Sequence, residues 1–126
     1  MKELTKAEEQ VMEYLWKLEK AFVKDILNQF PEPRPAYNTV STIVRILEKK
    51  GMVAYNAYGK THQYYPLVSP AGYRKGRFKD ILSKNFNNSY KKFASFFARE
   101  EDVSISDLEE MRKIVEEEIE KRKAKN

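Results

Sequence analysis

The chain has 126 residues, a net charge of +5 and hydrophobic residues at 41% of its positions. A chain of this length buries roughly two-thirds of its unfolded surface, enough for one core or for a small domain with an assembly element. The absence of cysteine excludes disulfide frameworks, thiolate metal sites and cysteine nucleophiles. No apolar run approaches the ~18 residues of a membrane span, and the N-terminus is no secretory signal. We therefore expect a cytoplasmic protein without membrane insertion.

Positive charge is concentrated in the middle of the chain. Residues 34–63 carry five basic side chains and one acidic side chain, and residues 69–99 carry eight basic and one acidic. The two ends are acidic. This segmentation indicates contact with a polyanion without identifying it.

The first third of the chain predicts two helices. Thr5 and Glu8 form a capping box, which starts the first helix near Lys6. The pair Ala21-Phe22 interrupts the apolar pattern, and a second, short helix follows. Three prolines within residues 31–35 end that helix, because proline lacks a backbone donor. We expect a stiff connector there.

A third helix and a hairpin come next. Residues 37–50 have apolar side chains at positions 40, 43, 44 and 47, which form one buried face. Gly51 has the position of a left-handed C-terminal cap. The strand-like segments within residues 52–67 predict a β-hairpin with its turn at residues 58–61. Three helices followed by a hairpin is the order of a winged helix-turn-helix, with the hairpin as the wing.

The exposed face of the third helix has short polar side chains where an ordinary surface helix carries Glu/Lys pairs. Such side chains read base edges in the major groove. We therefore interpret this face as DNA-binding; a merely polar surface helix is the alternative. The hairpin residue Lys60 is predicted to contact a phosphate, or else to be a solvated lysine. The predicted DNA-binding residues are Asn38, Thr39, Ser41, Thr42, Arg45 and Lys60.

The single histidine, His62, lacks the partners that a metal ion needs. We interpret it as a wing-surface or phosphate-contact residue. The adjacent carboxylates of Glu8-Glu9 and Glu100-Glu101 point about 100° apart on a helix and cannot share a small site. No phosphate-binding glycine motif is present. The chain is therefore predicted to be no enzyme and to hold neither a metal nor a cofactor.

Residues 69–126 predict three further helices. The last is expected to begin at a capping box formed by Ser106 and Glu109 and to run to about Arg122, with fraying from about Glu116 because charge accumulates there. These helices carry more apolar and aromatic surface than they can bury on themselves, which indicates an interface. A monomer whose tail covers its own winged helix is the alternative. The predicted dimerisation residues are Phe78, Leu82, Phe86, Phe93, Phe97, Leu108, Met111 and Val115.

The predicted fold is therefore mainly α: a winged helix-turn-helix DNA-binding domain over residues 1–68, followed by a helical dimerisation domain over residues 69–126. Several segments in this order are similar to the penicillinase-repressor (BlaI/MecI) family of bacterial winged-helix regulators. They are residues 4–12 with Leu15-Trp16, residues 38–47 with Lys49-Lys50-Gly51, residues 64–67, residues 93–101 and residues 106–111.

The resemblance implies a homodimeric repressor whose winged helices each bind half of an inverted-repeat operator in double-stranded DNA. Residues 38, 39, 41 and 42 match the family's DNA-facing helix positions, and Lys60 matches its wing. Phe96-Phe97 matches the segment at which a protease linked to a membrane sensor cuts some members. The chain lacks the cysteine-rich tail of copper-responsive relatives, which argues against copper sensing. A winged-helix module that binds protein or RNA without an operator is the alternative function.

Overall fold

The computed structural model describes residues 3–125, which form six helices and three strands. In chain order these are α1 (Lys6–Leu18), β1 (Ala21–Phe22), α2 (Val23–Leu27), α3 (Tyr37–Lys49), β2 (Val53–Tyr58), β3 (Thr61–Pro66), α4 (Pro70–Phe86), α5 (Tyr90–Ala98) and α6 (Ile105–Lys125). The chain divides into two compact units, one ending at Phe78 and the other beginning at Lys79. This division of the chain falls within α4; the domain boundary between residues 68 and 69 stays a prediction.

The predicted capping box begins α1. The Glu8 backbone N–H donates to the Thr5 hydroxyl over 3.2 Å, and the Thr5 N–H donates to the Glu8 carboxylate over 3.1 Å. These bonds satisfy two N–H groups that a helix start otherwise leaves free. The α1 face formed by Val11, Met12 and Leu15 is fully buried in the core of the first unit.

The predicted apolar stripe of α3 is confirmed. Val40, Val44 and Leu47 are fully buried, and Ile43 packs against the same core. Gly51 has a φ of +77°, a conformation that glycine adopts without a steric penalty. The helix therefore ends where the sequence predicts, and its polar face is turned away from the core.

The hairpin β2–β3 is confirmed, with each strand shifted by one residue from the prediction. Tyr58 pairs with Thr61 at its tip, and Gly59 has a φ of +64° in the turn. A third strand, β1, was not predicted; Ala21 pairs with Tyr64 of β3. The sheet is antiparallel in the order β1-β3-β2, so the wing is anchored to the segment between α1 and α2.

The start of α4 is fixed to α1 within the first unit. The buried Tyr73 hydroxyl donates to the Glu9 carboxylate over 2.6 Å, and the Trp16 indole N–H donates to the Val68 carbonyl over 2.7 Å. Burial and the bond to Glu9 raise the pKa of Tyr73 far above its usual range. The helix itself begins at Pro70, where the Ser69 hydroxyl accepts a bond from the Gly72 N–H over 3.0 Å.

The second unit contains an aromatic cluster and the long helix α6. Phe86 lies 5.5 Å from both Phe93 and Phe96, measured between ring centroids. The predicted capping box of Ser106 and Glu109 is wrong: the Asp107 N–H donates to the Ser104 hydroxyl over 3.0 Å, so α6 begins at Ile105.

The helix α6 continues to Lys125, three residues beyond the predicted end near Arg122, and remains helical throughout the segment from Glu116 that was predicted to fray. Oppositely charged side chains four residues apart support its C-terminal half, as in the pairs of Arg112 with Glu116 and of Glu118 with Arg122. The described side chains of α5 and α6 include none that is fully buried. No helix within residues 3–125 has both the length and the apolar character needed to cross a membrane.

Candidate nucleic-acid interface

The face of α3 opposite the core presents the predicted base-reading residues. Asn38, Thr39, Thr42 and Arg45 are exposed, and Ser41 is half-buried. The first turn of the helix contains no acidic residue. The face therefore offers short donors and acceptors together with the cation Arg45. Its first turn has no carboxylate that would repel a polyanion.

The hydroxyl of Thr42 is already engaged within the helix. It donates over 2.9 Å to the backbone carbonyl of Asn38, which lies one turn earlier in the helix. A hydroxyl has one proton and two lone pairs. Thr42 therefore presents its acceptor capacity and its methyl group to a ligand.

A cleft of about 180 Å³ separates the polar face of α3 from the wing. We call it the helix–wing cleft. On the α3 side it is lined by Tyr37, Ser41 and Arg45, and on the wing side by Lys60, Thr61 and His62, with Val23 and Tyr64 completing its wall. The structure thus brings three of the predicted DNA-binding residues, Ser41, Arg45 and Lys60, around one hollow.

His62 is held by aromatic neighbours on the sheet. Its ring stacks on Tyr55 with a centroid distance of 4.0 Å and an interplanar angle of 6°, and it lies 6.2 Å from the Tyr64 ring. Burial raises the pKa of Tyr64; Glu48 acts in the same direction and Arg45 opposes it. On the wing side of the cleft, His62 is therefore packed among aromatic rings, whereas Lys60 and Thr61 are exposed.

The basic residues between positions 34 and 63 have different roles. Arg34 donates to the Phe30 carbonyl over 3.0 Å, and Lys50 forms an ion pair with Glu8 over 2.6 Å. Both cations therefore stabilise the fold. Arg45 and Lys60 have no carboxylate partner among the residues that the structure describes, so their charge is available for a ligand at the cleft.

Sequence reasoning missed Tyr37 and Thr61 as cleft residues. Tyr37 is three residues before Val40 and seven before Val44, so its spacing assigns it to the buried stripe. In the structure it extends beyond the core and is 52% exposed. Thr61 has no distinguishing pattern, because its position depends on the hairpin register.

The predicted dimerisation residues are distributed over three helices. Phe78, Leu82 and Phe86 lie on α4, where Leu82 is already buried in the single chain. The others lie on α5 (Phe93, Phe97) and α6 (Leu108, Met111, Val115). Met111 and Val115 are exposed.

Phe96-Phe97, the predicted cleavage segment, lies in the last turn of α5, because α5 ends at Ala98. The connection to α6 begins at Arg99, and cleavage at this segment stays a prediction. Among the described residues, no group of three His, Asp or Glu side chains has an arrangement that could hold a metal ion.

Comparison with known proteins identifies the family. The penicillinase repressor family model matches residues 4–117. The methicillin resistance regulatory protein MecI of Mammaliicoccus sciuri is 27% identical over 114 residues, which are 90% of this chain and 93% of that protein. MecI of Staphylococcus aureus (strain N315) is 26% identical with the same coverage.

A solved CopR repressor structure is 33% identical, with a TM-score of 0.45, and covers 54% of this chain and 100% of its own. The family match extends over both compact units and includes α3, the wing and most of α6. The order of the described elements, three helices followed by a β-hairpin and further helices, confirms the mainly helical winged-helix class. The family match confirms the prediction of a regulator that is not an enzyme. The chain belongs to the penicillinase-repressor family and is a transcriptional repressor of the BlaI/MecI type.

Proposed function

We propose that this repressor acts in the cytoplasm as a homodimer that binds an inverted-repeat operator, with α3 in the major groove and the wing at the DNA backbone. The observation that carries the proposal is the combination of a short-polar α3 face with two cations, Arg45 and Lys60, that lack a carboxylate partner within residues 3–125. Polar side chains supply base contacts, and cations supply phosphate contacts.

The α3 face is suited to base readout because its side chains are short and held on a rigid helix. The buried positions Val40, Val44 and Leu47 fix the helix against the core. Asn38 can donate and accept at an adenine edge, and the Thr42 methyl can contact thymine. The fully buried apolar residues of this helix are used by the core, and the exposed Tyr37 lines the helix–wing cleft rather than an apolar groove.

The C-terminal helices support the homodimer. In α6 the residues Leu108, Met111, Val115 and Ile119 recur at helical spacing on one side. Val115 is 56% exposed and the neighbouring Ile114 is 65% exposed in the single chain. Contiguous apolar surface of this kind marks an interface, and a second copy would bury it symmetrically. A two-fold dimer in turn requires half-sites separated by a multiple of about one helical turn of DNA.

We propose further that a protease linked to a membrane sensor inactivates the repressor at Phe96-Phe97. Phe96 is 57% exposed, and the segment is in the last turn of a helix, where the backbone opens most readily. A cut there separates α6 from the rest of the chain. Loss of the dimer removes the gain in effective concentration that links two half-sites, which can reach about 10²–10⁴-fold.

The proposal is tested by binding of the purified protein to promoter DNA from its own operon, measured by fluorescence anisotropy with and without competitor DNA. Replacing both Asn38 and Thr42 by Ala is expected to weaken operator binding by about 1–3 kcal/mol per lost contact while the fold is retained. Glu13→Ala, an exposed change on α1, is the matched control. Equal operator affinity of the double variant and the wild type would refute base reading by α3. Binding to RNA or protein without operator binding would favour the interaction module instead.

A further inference from the structure

We propose that the helix–wing cleft is a seat for one phosphate group, which Arg45 and Lys60 hold jointly. The inference rests on the proposed function for the source of the ligand, a phosphodiester of the operator backbone. It goes beyond that function by stating that the two cations serve one phosphate and that Ser41 belongs to this seat.

The geometry of the cleft fits a phosphate. Its volume is about 180 Å³, well above the roughly 10–15 Å³ that one water needs on the same measure, so it can hold a tetrahedral anion of phosphate size with some hydration. A cation lines each side of the cleft: Arg45 lies on α3, and Lys60 lies at the hairpin tip. An anion between them is attracted by two cations that have no carboxylate partner in the described part of the chain.

The other polar groups of the cleft are suited to the same ligand. Ser41 and Thr61 contribute hydroxyl donors from the two walls, and the stacking of His62 on Tyr55 fixes a ring with an N–H donor. The lining contains no carboxylate. A guanidinium fork and an ammonium group, together with hydroxyl donors, match the acceptor oxygens of a phosphate.

This arrangement separates Ser41 from its neighbour Thr42. Thr42 is exposed on the outer face of α3, whereas Ser41 is half-buried and lines the cleft. A phosphate contact carries no sequence information, but a base contact does. Ser41→Ala should therefore lower the affinity for operator DNA and for unrelated DNA by the same factor. Thr42→Ala should lower the affinity for the operator selectively.

The decisive experiment is a double-mutant cycle with Arg45→Gln and Lys60→Gln, in which DNA affinity is measured over a range of salt concentrations. Each neutralised phosphate contributes about 0.9 to the slope of log K against log salt. If one phosphate is shared, the double variant loses about 0.9 in slope, and each single variant loses less because the other cation remains. Lys20→Gln, an exposed change outside α3 and the hairpin, controls for net charge. A loss of about 1.8 in the double variant, divided equally between the single variants, would overturn the shared seat.

A second measurement tests the seat without DNA. Inorganic phosphate is titrated against chloride at constant ionic strength, and the amide NMR signals of residues 60–62 are followed. Saturable shifts that disappear in the double variant would show that the seat also accepts free phosphate. No shifts, together with a slope loss of about 0.9, would assign the seat to the DNA backbone alone. If the wild type binds no operator, the proposed function fails, and this titration decides the seat: saturable shifts support it and their absence overturns it.

Discussion

The ion pair between Glu8 and Lys50 connects the first turn of α1 to the end of α3, and Glu8→Gln tests its contribution to stability. One carboxylate oxygen of Glu8 accepts bonds from the Lys50 ammonium over 2.6 Å and from the Thr5 N–H over 3.1 Å. Glutamine has the same shape and can still accept the Thr5 bond, so the capping box survives. The substitution therefore removes the charge and leaves the helix start intact.

The magnitude follows from the burial of both partners. The Glu8 side chain is 7% exposed and the Lys50 side chain 22% exposed. Removing one partner of a buried ion pair costs about 3–5 kcal/mol, because the other charge is left unpaired. Lys50 keeps its bond to the Glu3 carbonyl and some contact with water. We therefore expect the free energy of unfolding to fall by about 2–3 kcal/mol at pH 7, which lowers Tm by about 8–15 °C.

Urea unfolding of the wild type, Glu8→Gln and the exposed control Glu13→Gln measures this loss. Burial acts to raise the pKa of Glu8, but the Lys50 and Thr5 bonds outweigh it, so the folded pKa lies below the ordinary value of 4.5. The stability from this carboxylate is therefore complete above about pH 5 and is lost as the pH falls through the folded pKa. The gap between wild type and Glu8→Gln should be constant above about pH 5 and should shrink on further acidification. Equal stability at pH 7, or a gap that persists at low pH, would refute the reasoning.

Three other predictions concern the anchoring of α4, the dimer and its switching. Trp16→Phe removes the donor to the Val68 carbonyl and should lower the free energy of unfolding by about 1 kcal/mol in urea titrations, and an unchanged midpoint would contradict this. Replacing Met111 and Val115 together by Lys should convert the dimer to a monomer in sedimentation at micromolar concentration; a wild type that sediments as a 14.9 kDa species would exclude the dimer itself. A chain truncated after Phe96 should lose both dimerisation and tight operator binding, and cleavage there is not the switch if it retains them.

Elements defined by local chemistry could be predicted from the sequence. The capping box at Thr5, the stripe of α3 and the cap at Gly51 each depend on residues within two turns of one another. The start of α6 shows the limit, because Ser104 with Asp107 and Ser106 with Glu109 form two overlapping capping patterns. The structure uses the earlier one, and a local pattern cannot choose between them.

Features that depend on distant pairing could not be predicted. The strand β1 has two residues, too few for an alternating pattern, and exists because it pairs with β3 more than 40 residues later. The helix–wing cleft likewise depends on the hairpin register, which brings Lys60 and Thr61 opposite α3. Sequence reasoning therefore identified Arg45 and Lys60 separately and missed the hollow that they share.

The internal hydrogen bond of Thr42 favours some bases over others in the operator. Because its proton is directed to the Asn38 carbonyl, the side chain is complementary to groups that donate a proton or are apolar. In the major groove these are the amino groups of adenine and cytosine and the methyl group of thymine, whereas guanine presents only acceptors. The half-site position beneath Thr42 should therefore be depleted in guanine, a bias that sequencing of DNA selected by the protein from a random pool would reveal.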